Sequence, residues 1–127
     1  MIAQILVADD NKDIREMLRD FLESQHHRVL EATDGAQAFA IAEQEMPHLI
    51  IMDIVMPGVY GSTATRKIHE YWRTTEIPII IISGSADQAV LGDLLKDPNI
   101  RYMKKPINLK ELEKNIREML PKGGYTP

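Results

Sequence analysis

The chain has 127 residues, of which 44% are hydrophobic and 27% charged, and its formal net charge is −4 at pH 7. A chain of this length can bury one core without staples, so we expect a single globular domain. Cysteine is absent, which excludes disulfides, thiol catalysis and Cys-ligated zinc. The acidic balance argues against direct nucleic-acid binding. Because no segment resembles a signal peptide or is long enough to span a bilayer, we expect a cytoplasmic protein without membrane contact.

Five short apolar runs alternate with five segments in which apolar residues recur at helical spacing. This alternation predicts strands and helices in turn. The predicted strands cover residues 5–8, 28–32, 49–52, 79–82 and 100–103. The predicted helices cover residues 12–22, 35–45, about 62–72, 90–95 and 109–120.

Amphipathic spacing divides the first and second helices into faces. On the first helix the predicted buried residues are Ile14, Met17, Leu18, Phe21 and Leu22. The opposite, charged face carries Lys12, Arg15, Glu16, Arg19 and Asp20. The second helix carries four alanines that indicate close packing on a sheet, namely Ala36, Ala38, Ala40 and Ala42.

Helix caps support these boundaries. Asp34 is followed three residues later by Gln37, and Asn108 three residues later by Glu111, which is the spacing of an N-cap and its reciprocal partner. On the third helix we expect an inner face of Ala64, Ile68 and either Tyr71 or Trp72.

Strands that alternate with helices predict an α/β fold. We expect a three-layer αβα sandwich, in which a (βα)5 doubly wound sheet of five parallel strands carries helices on both faces. Residues 1–121 would form this domain. The Gly- and Pro-containing segment 122–127 is interpreted as a tail or a linker stub.

Polar residues follow the predicted strands at the points where they end. Asp53 lies between the most central apolar run and a Pro57-Gly58 turn, Asp9 and Asp10 follow the first strand, Ser83 follows the fourth, and Lys105 follows the fifth. The carboxyl ends of parallel strands meet at one edge of a sheet, where ligands bind. We therefore expect these side chains to converge.

Converging carboxylates repel one another and favour a hard divalent cation. We predict that Mg²⁺, with Mn²⁺ as a substitute, is held by Asp10, Asp53 and the backbone carbonyl of Val55, with Asp9 contributing directly or through water. A carboxylate, Mg²⁺, a lysine and a hydroxyl are the parts of a phosphoryl-transfer site. Asp53 would become an aspartyl phosphate, whose oxygens would be bound by Lys105 and Ser83.

These motifs together resemble the response-regulator receiver domain (CheY-like) of two-component signalling. The resemblance covers nearly the whole chain and is carried by Asp9-Asp10, the 53–58 run with Gly61, Ser83, and Lys105-Pro106. It implies the strand order 2-1-3-4-5. It also implies that Asp53 accepts a phosphoryl group from a phosphohistidine on a sensor histidine kinase or a phosphotransfer protein, and that the domain can hydrolyse it.

The resemblance further implies how the signal leaves the domain. Tyr102 matches the family's switch aromatic, which turns inward as the hydroxyl at the Ser83 position moves toward the phosphoryl group. Output would pass through helix four, strand five and helix five to a downstream protein target or a fused output domain, and a dimer through that face is a further option. The chain is thus expected to be a phosphoacceptor switch that catalyses its own phosphorylation and dephosphorylation, not an enzyme acting on a separate substrate.

Two other functions are weighed against this one. A pseudo-receiver would act only as a protein-interaction module without phosphorylation, but such members lose the acid, Ser and Lys set that this chain retains. A phosphoaspartate-forming hydrolase of small molecules would need a second acid two residues after Asp53, where Val55 stands.

The histidines and methionines receive plainer interpretations. Solvent-exposed histidine is expected at all four positions, namely His26, His27, His48 and His69. Core-filling methionine is expected in or beside strands and on apolar helix faces, as at Met17 and Met119.

Overall fold

The computed structural model of the chain describes residues 2–56, 60–84 and 88–120. Its strands are β1 (Gln4–Ala8), β2 (Arg28–Ala32), β3 (Leu49–Asp53), β4 (Ile79–Ser83) and β5 (Ile100–Lys104). Its helices are α1 (Lys12–Ser24), α2 (Gly35–Glu45), α3 (Gly61–Glu70), α4 (Gln88–Leu94) and α5 (Leu109–Met119). The predicted alternation of strands and helices is confirmed.

The strands form one parallel sheet in the order β2-β1-β3-β4-β5, which confirms the doubly wound topology. Every residue of β3 and β4 is buried, because helices cover both faces of the sheet. Alternate side chains point to opposite faces. Leu6, Ile50 and Met52 pack toward α2, α3 and α4, whereas Val7 and Ile51 pack toward α1 and α5.

In three of the helices, a side chain at the N-cap position accepts a hydrogen bond from an amide of the first turn. The carboxylate of Asp34 accepts a hydrogen bond from the Gln37 amide at 2.8 Å, as predicted, and Asn108 Oδ1 accepts one from the Glu111 amide at 3.1 Å. The Gln37 side chain reaches back to the amide of Thr33, at 2.7 Å, so the reciprocal bond lies one residue before the cap. These bonds satisfy amides that a helix leaves without an internal partner.

Several predicted helix faces are only partly right. Ala38 and Ala42 are buried against the sheet, but Ala36 and Ala40 are exposed, because only residues three or four apart share a helix face. Met17 lies at the edge of the α1 face and is 40% exposed, so its assignment to the core is wrong.

The third helix ends earlier than expected, at Glu70. Tyr71 then packs edge-on against Phe39, with ring centroids 6.0 Å apart, while Trp72 remains 77% exposed. Tyr71 is therefore the aromatic residue that continues the inner face.

Three of the four histidines are not the solvent-exposed residues that the sequence predicted. Near the amino ends of the strands, His27 Nδ1 accepts the amide of Ala3 at 3.1 Å, and His48 Nδ1 accepts the amide of Gln4 at 2.9 Å. His69 is only 10% exposed, and its ring nitrogens lie 2.6 Å from Asp97 Oδ2 and 2.9 Å from the Ile77 carbonyl oxygen. His26 is exposed, as expected.

Two predictions lie outside the described residues: the Pro57-Gly58 turn and the 122–127 tail. Among the helices that the structure describes, none is both long enough and apolar enough to cross a bilayer.

Candidate functional site

Four strands deliver polar side chains to the carboxyl edge of the sheet. Asp9 directly follows β1, Asp53 ends β3, Ser83 ends β4 and Lys105 directly follows β5. The ammonium of Lys105 lies 3.1 Å from Asp9 Oδ2 and 3.3 Å from Asp53 Oδ2. Parallel pairing thus brings together residues that are up to 96 positions apart in the chain.

Three carboxylates meet around that lysine. One oxygen from each of Asp9, Asp10 and Asp53 lies within 4.8 Å of the others. Asp9 and Asp53 are 0% and 4% exposed, whereas Asp10 faces solvent. Lys105 contacts the two buried acids and adds one positive charge to the three carboxylates, so the cluster has a formal net charge of −2.

Burial and charge shift the pKa values at this edge. Burial, together with the neighbouring Asp9 carboxylate, raises the pKa of Asp53, and the opposing contributions of the Val55 amide and of Lys105 do not cancel this effect. Burial also acts to lower the pKa of Lys105, but the Asp9 and Asp53 carboxylates outweigh it, so that pKa is raised. Lys105 is therefore a fixed positive charge, while the charge on Asp53 is costly without a further cation.

The backbone beside Asp53 is closely packed. The Val55 amide donates to Asp53 Oδ1 at 3.2 Å, and the side chain of Val55 is 54% exposed. Gly61, the first residue of α3, donates its amide to the Ile54 carbonyl at 2.9 Å. A β-carbon at Gly61 would overlap the Asp53 carbonyl and lie 2.9 Å from the Ile54 α-carbon, so only glycine lets α3 begin against the strand end.

Ser83 and Tyr102 are connected through one carbonyl group. Ser83 is buried, and its backbone oxygen accepts both the Lys105 amide at 2.9 Å and the Tyr102 hydroxyl at 3.2 Å. The half-buried Tyr102 also packs against the hydrophobic core on the α2, α3 and α4 side of the sheet. A movement of the Ser83 backbone would therefore reach the Lys105 backbone and the Tyr102 side chain. The Lys105-Pro106 peptide bond is cis.

One residue at this edge was assigned by the sequence to the charged face of α1. Arg15 is 15% exposed, and its Nη1 donates to the Asp9 carbonyl at 2.8 Å. Its long side chain reaches back from the start of α1 toward the acid pair that precedes the helix. A long cationic side chain so soon after two acids was the sequence signal that could have indicated this contact.

A five-stranded parallel sheet whose carboxyl edge gathers acids, a serine and a lysine is the arrangement expected of a receiver domain. The family model described as the response regulator receiver domain matches residues 5–117. The chain is also 38% identical to Protein PilH of Pseudomonas aeruginosa, over 94% of this chain and 98% of that protein. It belongs to the response-regulator receiver domain family of two-component systems.

Other relatives carry this domain within much longer proteins. The sensor histidine kinase TmoS of Ectopseudomonas mendocina is 32% identical over 92% of this chain, which spans 12% of the kinase. A solved receiver domain of a Pseudomonas aeruginosa PAO1 sensor histidine kinase is 29% identical, with a TM-score of 0.83 over 94% of this chain and 98% of that one. That protein has a magnesium ion coordinated in its active-site cleft.

Proposed function

We propose that this domain is a magnesium-dependent phosphoacceptor switch. In this proposal Asp53 accepts a phosphoryl group from a phosphohistidine on a sensor histidine kinase or a phosphotransfer protein. The observation that carries the proposal is the Lys105 ammonium that joins Asp9 and Asp53 within the carboxylate cluster, because a nucleophile and a charge-neutralising cation are then adjacent. Residues 1–121 would be the working unit, with 122–127 as a tail or linker, in the cytoplasm.

The chemistry of the donors fits a magnesium ion. Asp9, Asp10 and Asp53 supply the hard oxygen ligands that Mg²⁺ and Mn²⁺ prefer, and the Val55 carbonyl would add another. One ligand oxygen of each carboxylate lies within 4.8 Å of the others, so the three residues are close enough together to share one small cation. When bound, Mg²⁺ supplies two positive charges, which offset the surplus on the carboxylates and the charge on the phosphoryl oxygens.

The residues of this chain divide the transfer step between them. A carboxylate oxygen of Asp53 forms a bond to phosphorus as the P–N bond to the donor histidine breaks, and the imidazole keeps the electron pair. Lys105 then pairs with one phosphoryl oxygen, and the Ser83 hydroxyl donates to another. In hydrolysis, water attacks phosphorus and the bond between phosphorus and the Asp53 oxygen breaks, which releases inorganic phosphate and restores the Asp53 carboxylate. The exposed side chain of Val55 borders the route by which that water would arrive.

Signal output would depend on the backbone carbonyl of Ser83, which accepts a hydrogen bond from the Tyr102 hydroxyl. When the Ser83 hydroxyl moves to the phosphoryl group, the hydrogen bond from Tyr102 is disturbed and the ring is repositioned. The equilibrium of a two-state element is thereby biased by new charge-assisted hydrogen bonds. The α4-β5-α5 face would transmit this change to a downstream protein or a fused output domain, or by forming a dimer.

Intact-protein mass spectrometry after incubation with acetyl phosphate and MgCl₂ tests the proposal. We expect one phosphoryl group per chain, lost when EDTA replaces Mg²⁺ and absent in Asp53→Asn. The matched control is Asp13→Asn, which removes an exposed acid of α1 and should leave labelling unchanged. Labelling that persists in Asp53→Asn contradicts the assignment of the acceptor, and no labelling of the wild type would support a pseudo-receiver.

A further inference from the structure

Arg15 is a largely buried cation at the carboxyl edge that the phosphoacceptor chemistry does not use. Its guanidinium makes two contacts, donating from Nη1 to the Asp9 carbonyl at 2.8 Å and from Nε to Glu31 Oε1 at 3.0 Å. The Arg15 side chain is 15% exposed and that of Glu31 is 31% exposed, so both bonds are partly shielded from water. A guanidinium presents its donors in a rigid plane, which fixes the direction of one bond once the other is made.

The carbonyl that Arg15 holds belongs to the peptide unit that joins Asp9 to Asp10. That unit is planar, so the orientation of its C=O sets the direction in which the backbone enters Asp10. We infer that Arg15, anchored on Glu31 of β2, is a positioning residue that fixes the Asp9-Asp10 peptide so that both carboxylates face the proposed Mg²⁺ site. The inference rests on the proposed function, because it concerns the same cation.

The other groups of Asp9 are already bound to neighbours. Its amide donates to the Ala32 carbonyl at 3.1 Å, its Oδ1 accepts the Asn11 amide at 2.8 Å, and its Oδ2 accepts the Lys105 ammonium at 3.1 Å. The Asp9 carbonyl is the remaining polar group, and its peptide unit connects directly to the exposed Asp10. Arg15 therefore controls the acid of the pair that lies in solvent and depends on the backbone for its direction.

Charge alone predicts the opposite result from positioning. A guanidinium near a cation site repels the incoming ion, so removal of its charge should strengthen Mg²⁺ binding if Arg15 acted only through Coulomb forces. If Arg15 acts by holding the Asp9 carbonyl, its removal should weaken binding, since loss of groups that orient metal ligands costs about tenfold to a hundredfold in affinity. The sign of the change separates the two roles.

The chain contains a matched control in Arg19. This residue also donates to Glu31, from Nη1 to Oε2 at 3.2 Å, but its remaining contacts are ion pairs with Asp20 and Glu23, both on α1. Arg15→Met and Arg19→Met thus remove the same charge and the same kind of ion pair with Glu31. Arg15→Met also removes the bond to the Asp9 carbonyl, whereas Arg19→Met removes only the longer contacts to Asp20 and Glu23 in addition.

The experiment is a calorimetric titration of the full chain with MgCl₂ at pH 7, with Mn²⁺ titration followed by electron paramagnetic resonance as a second readout. For Arg15→Met we expect the dissociation constant to rise about tenfold, and for Arg19→Met less than about twofold. Arg15→Lys keeps one donor and should fall between wild type and Arg15→Met. Hydrogen exchange of the Asn11 amide should also quicken in Arg15→Met, because the turn that it closes is less firmly held.

Failure of the inference and failure of the proposed function give different results. If wild type binds Mg²⁺ and Asp10→Asn weakens that binding, the cation site stands. Equal affinities in Arg15→Met and Arg19→Met, or tighter binding in Arg15→Met, would then overturn the positioning role alone. If wild type and Asp10→Asn bind Mg²⁺ equally weakly, the proposed cation site itself is contradicted, and the role of Arg15 falls with it.

Discussion

The two edges of the sheet differ in how their polar side chains are paired. At the amino edge, His27 and His48 accept strand amides, and His69 lies between a carboxylate and a carbonyl oxygen. At the carboxyl edge, Asp9 and Asp53 are buried beside each other and share the ammonium of Lys105. Each of these three histidines has its own partner, whereas Asp9, Asp10 and Asp53 outnumber the ammonium of Lys105.

The difference shows at which edge of the sheet charged groups are buried without enough partners. Matched hydrogen bonds stabilise the amino edge, since buried polar groups with partners cost little. At the carboxyl edge, burial and the neighbouring Asp9 carboxylate raise the pKa of Asp53, so its charge is costly there, and a cation can relieve that cost. Stability at one edge and reactivity at the other arise from the same parallel sheet.

The closest packing at the carboxyl edge is the contact of Gly61 with the end of β3. Gly61→Ala would place a methyl group against the Asp53 carbonyl, so we expect a loss of about 3 kcal/mol in the free energy of unfolding, measured by urea denaturation. The control is Gly92→Ala in α4, where a β-carbon has no neighbour within 4 Å. That change should stabilise the protein by about 0.5–1 kcal/mol, because Ala is the better helix former. Equal effects of the two substitutions would contradict the packing.

The second prediction concerns the cation at the same edge. Without metal, Lys105→Met leaves Asp9 and Asp53 without their ammonium partner, and we expect a loss of about 2 kcal/mol at pH 7, discounted from the value for a fully buried pair because Lys105 is 21% exposed. Saturating MgCl₂ should restore most of this loss, as measured by thermal unfolding.

The neighbouring lysine provides the control for that measurement. Lys104 is exposed and ends β5, so Lys104→Met should change stability by less than about 0.5 kcal/mol with or without Mg²⁺. If Mg²⁺ stabilised the two variants equally, or failed to stabilise Lys105→Met, repulsion between the Asp9 and Asp53 carboxylates would not explain the loss of stability in Lys105→Met.

The third prediction concerns pH and the amino edge. Burial lowers the pKa of His27, and protonation would remove the acceptor that binds the Ala3 amide. The unfolded chain therefore takes up a proton before the folded chain does, and stability should fall as pH decreases through the ordinary histidine pKa of about 6.5 toward the lowered value.

The comparison of urea unfolding at pH 7.5 and pH 5.5 measures this loss. His27→Asn replaces the ring by an amide that does not titrate, so the part of the pH dependence due to His27 should disappear. The exposed His26→Asn is the control and should keep the wild-type pH dependence. A wild type that is equally stable at both pH values would refute the matched-partner account of the amino edge.

Local patterns were sufficient to predict the architecture. Periodicity of apolar residues, caps such as Asp34 and Asn108, and turn residues determine strands and helices within a few neighbouring positions, and these features are confirmed. The errors arose where rotation about a helix axis decides burial. Ala36 and Ala38 have the same side chain, but two residues turn the helix by about 200°, so one faces solvent and the other the sheet.

Long-range partners could not be read from the sequence in the same way. Convergence of Asp9, Asp53 and Lys105 follows from parallel strands alone, so it was predictable. His69 depends on Asp97, 28 residues away, and Arg15 depends on a backbone carbonyl that has no sequence signature. Such contacts are set by loop paths and side-chain reach, which apolar periodicity does not encode.

The central claim is that Asp53 carries the phosphoryl group. Borohydride reduces an acyl phosphate to the alcohol, so treatment of the acetyl phosphate-labelled wild type, followed by digestion and peptide mass spectrometry, locates the modified residue. We predict homoserine at position 53, in amounts that depend on Mg²⁺. Homoserine at Asp9, Asp10 or another acid, with position 53 unchanged, would contradict the account.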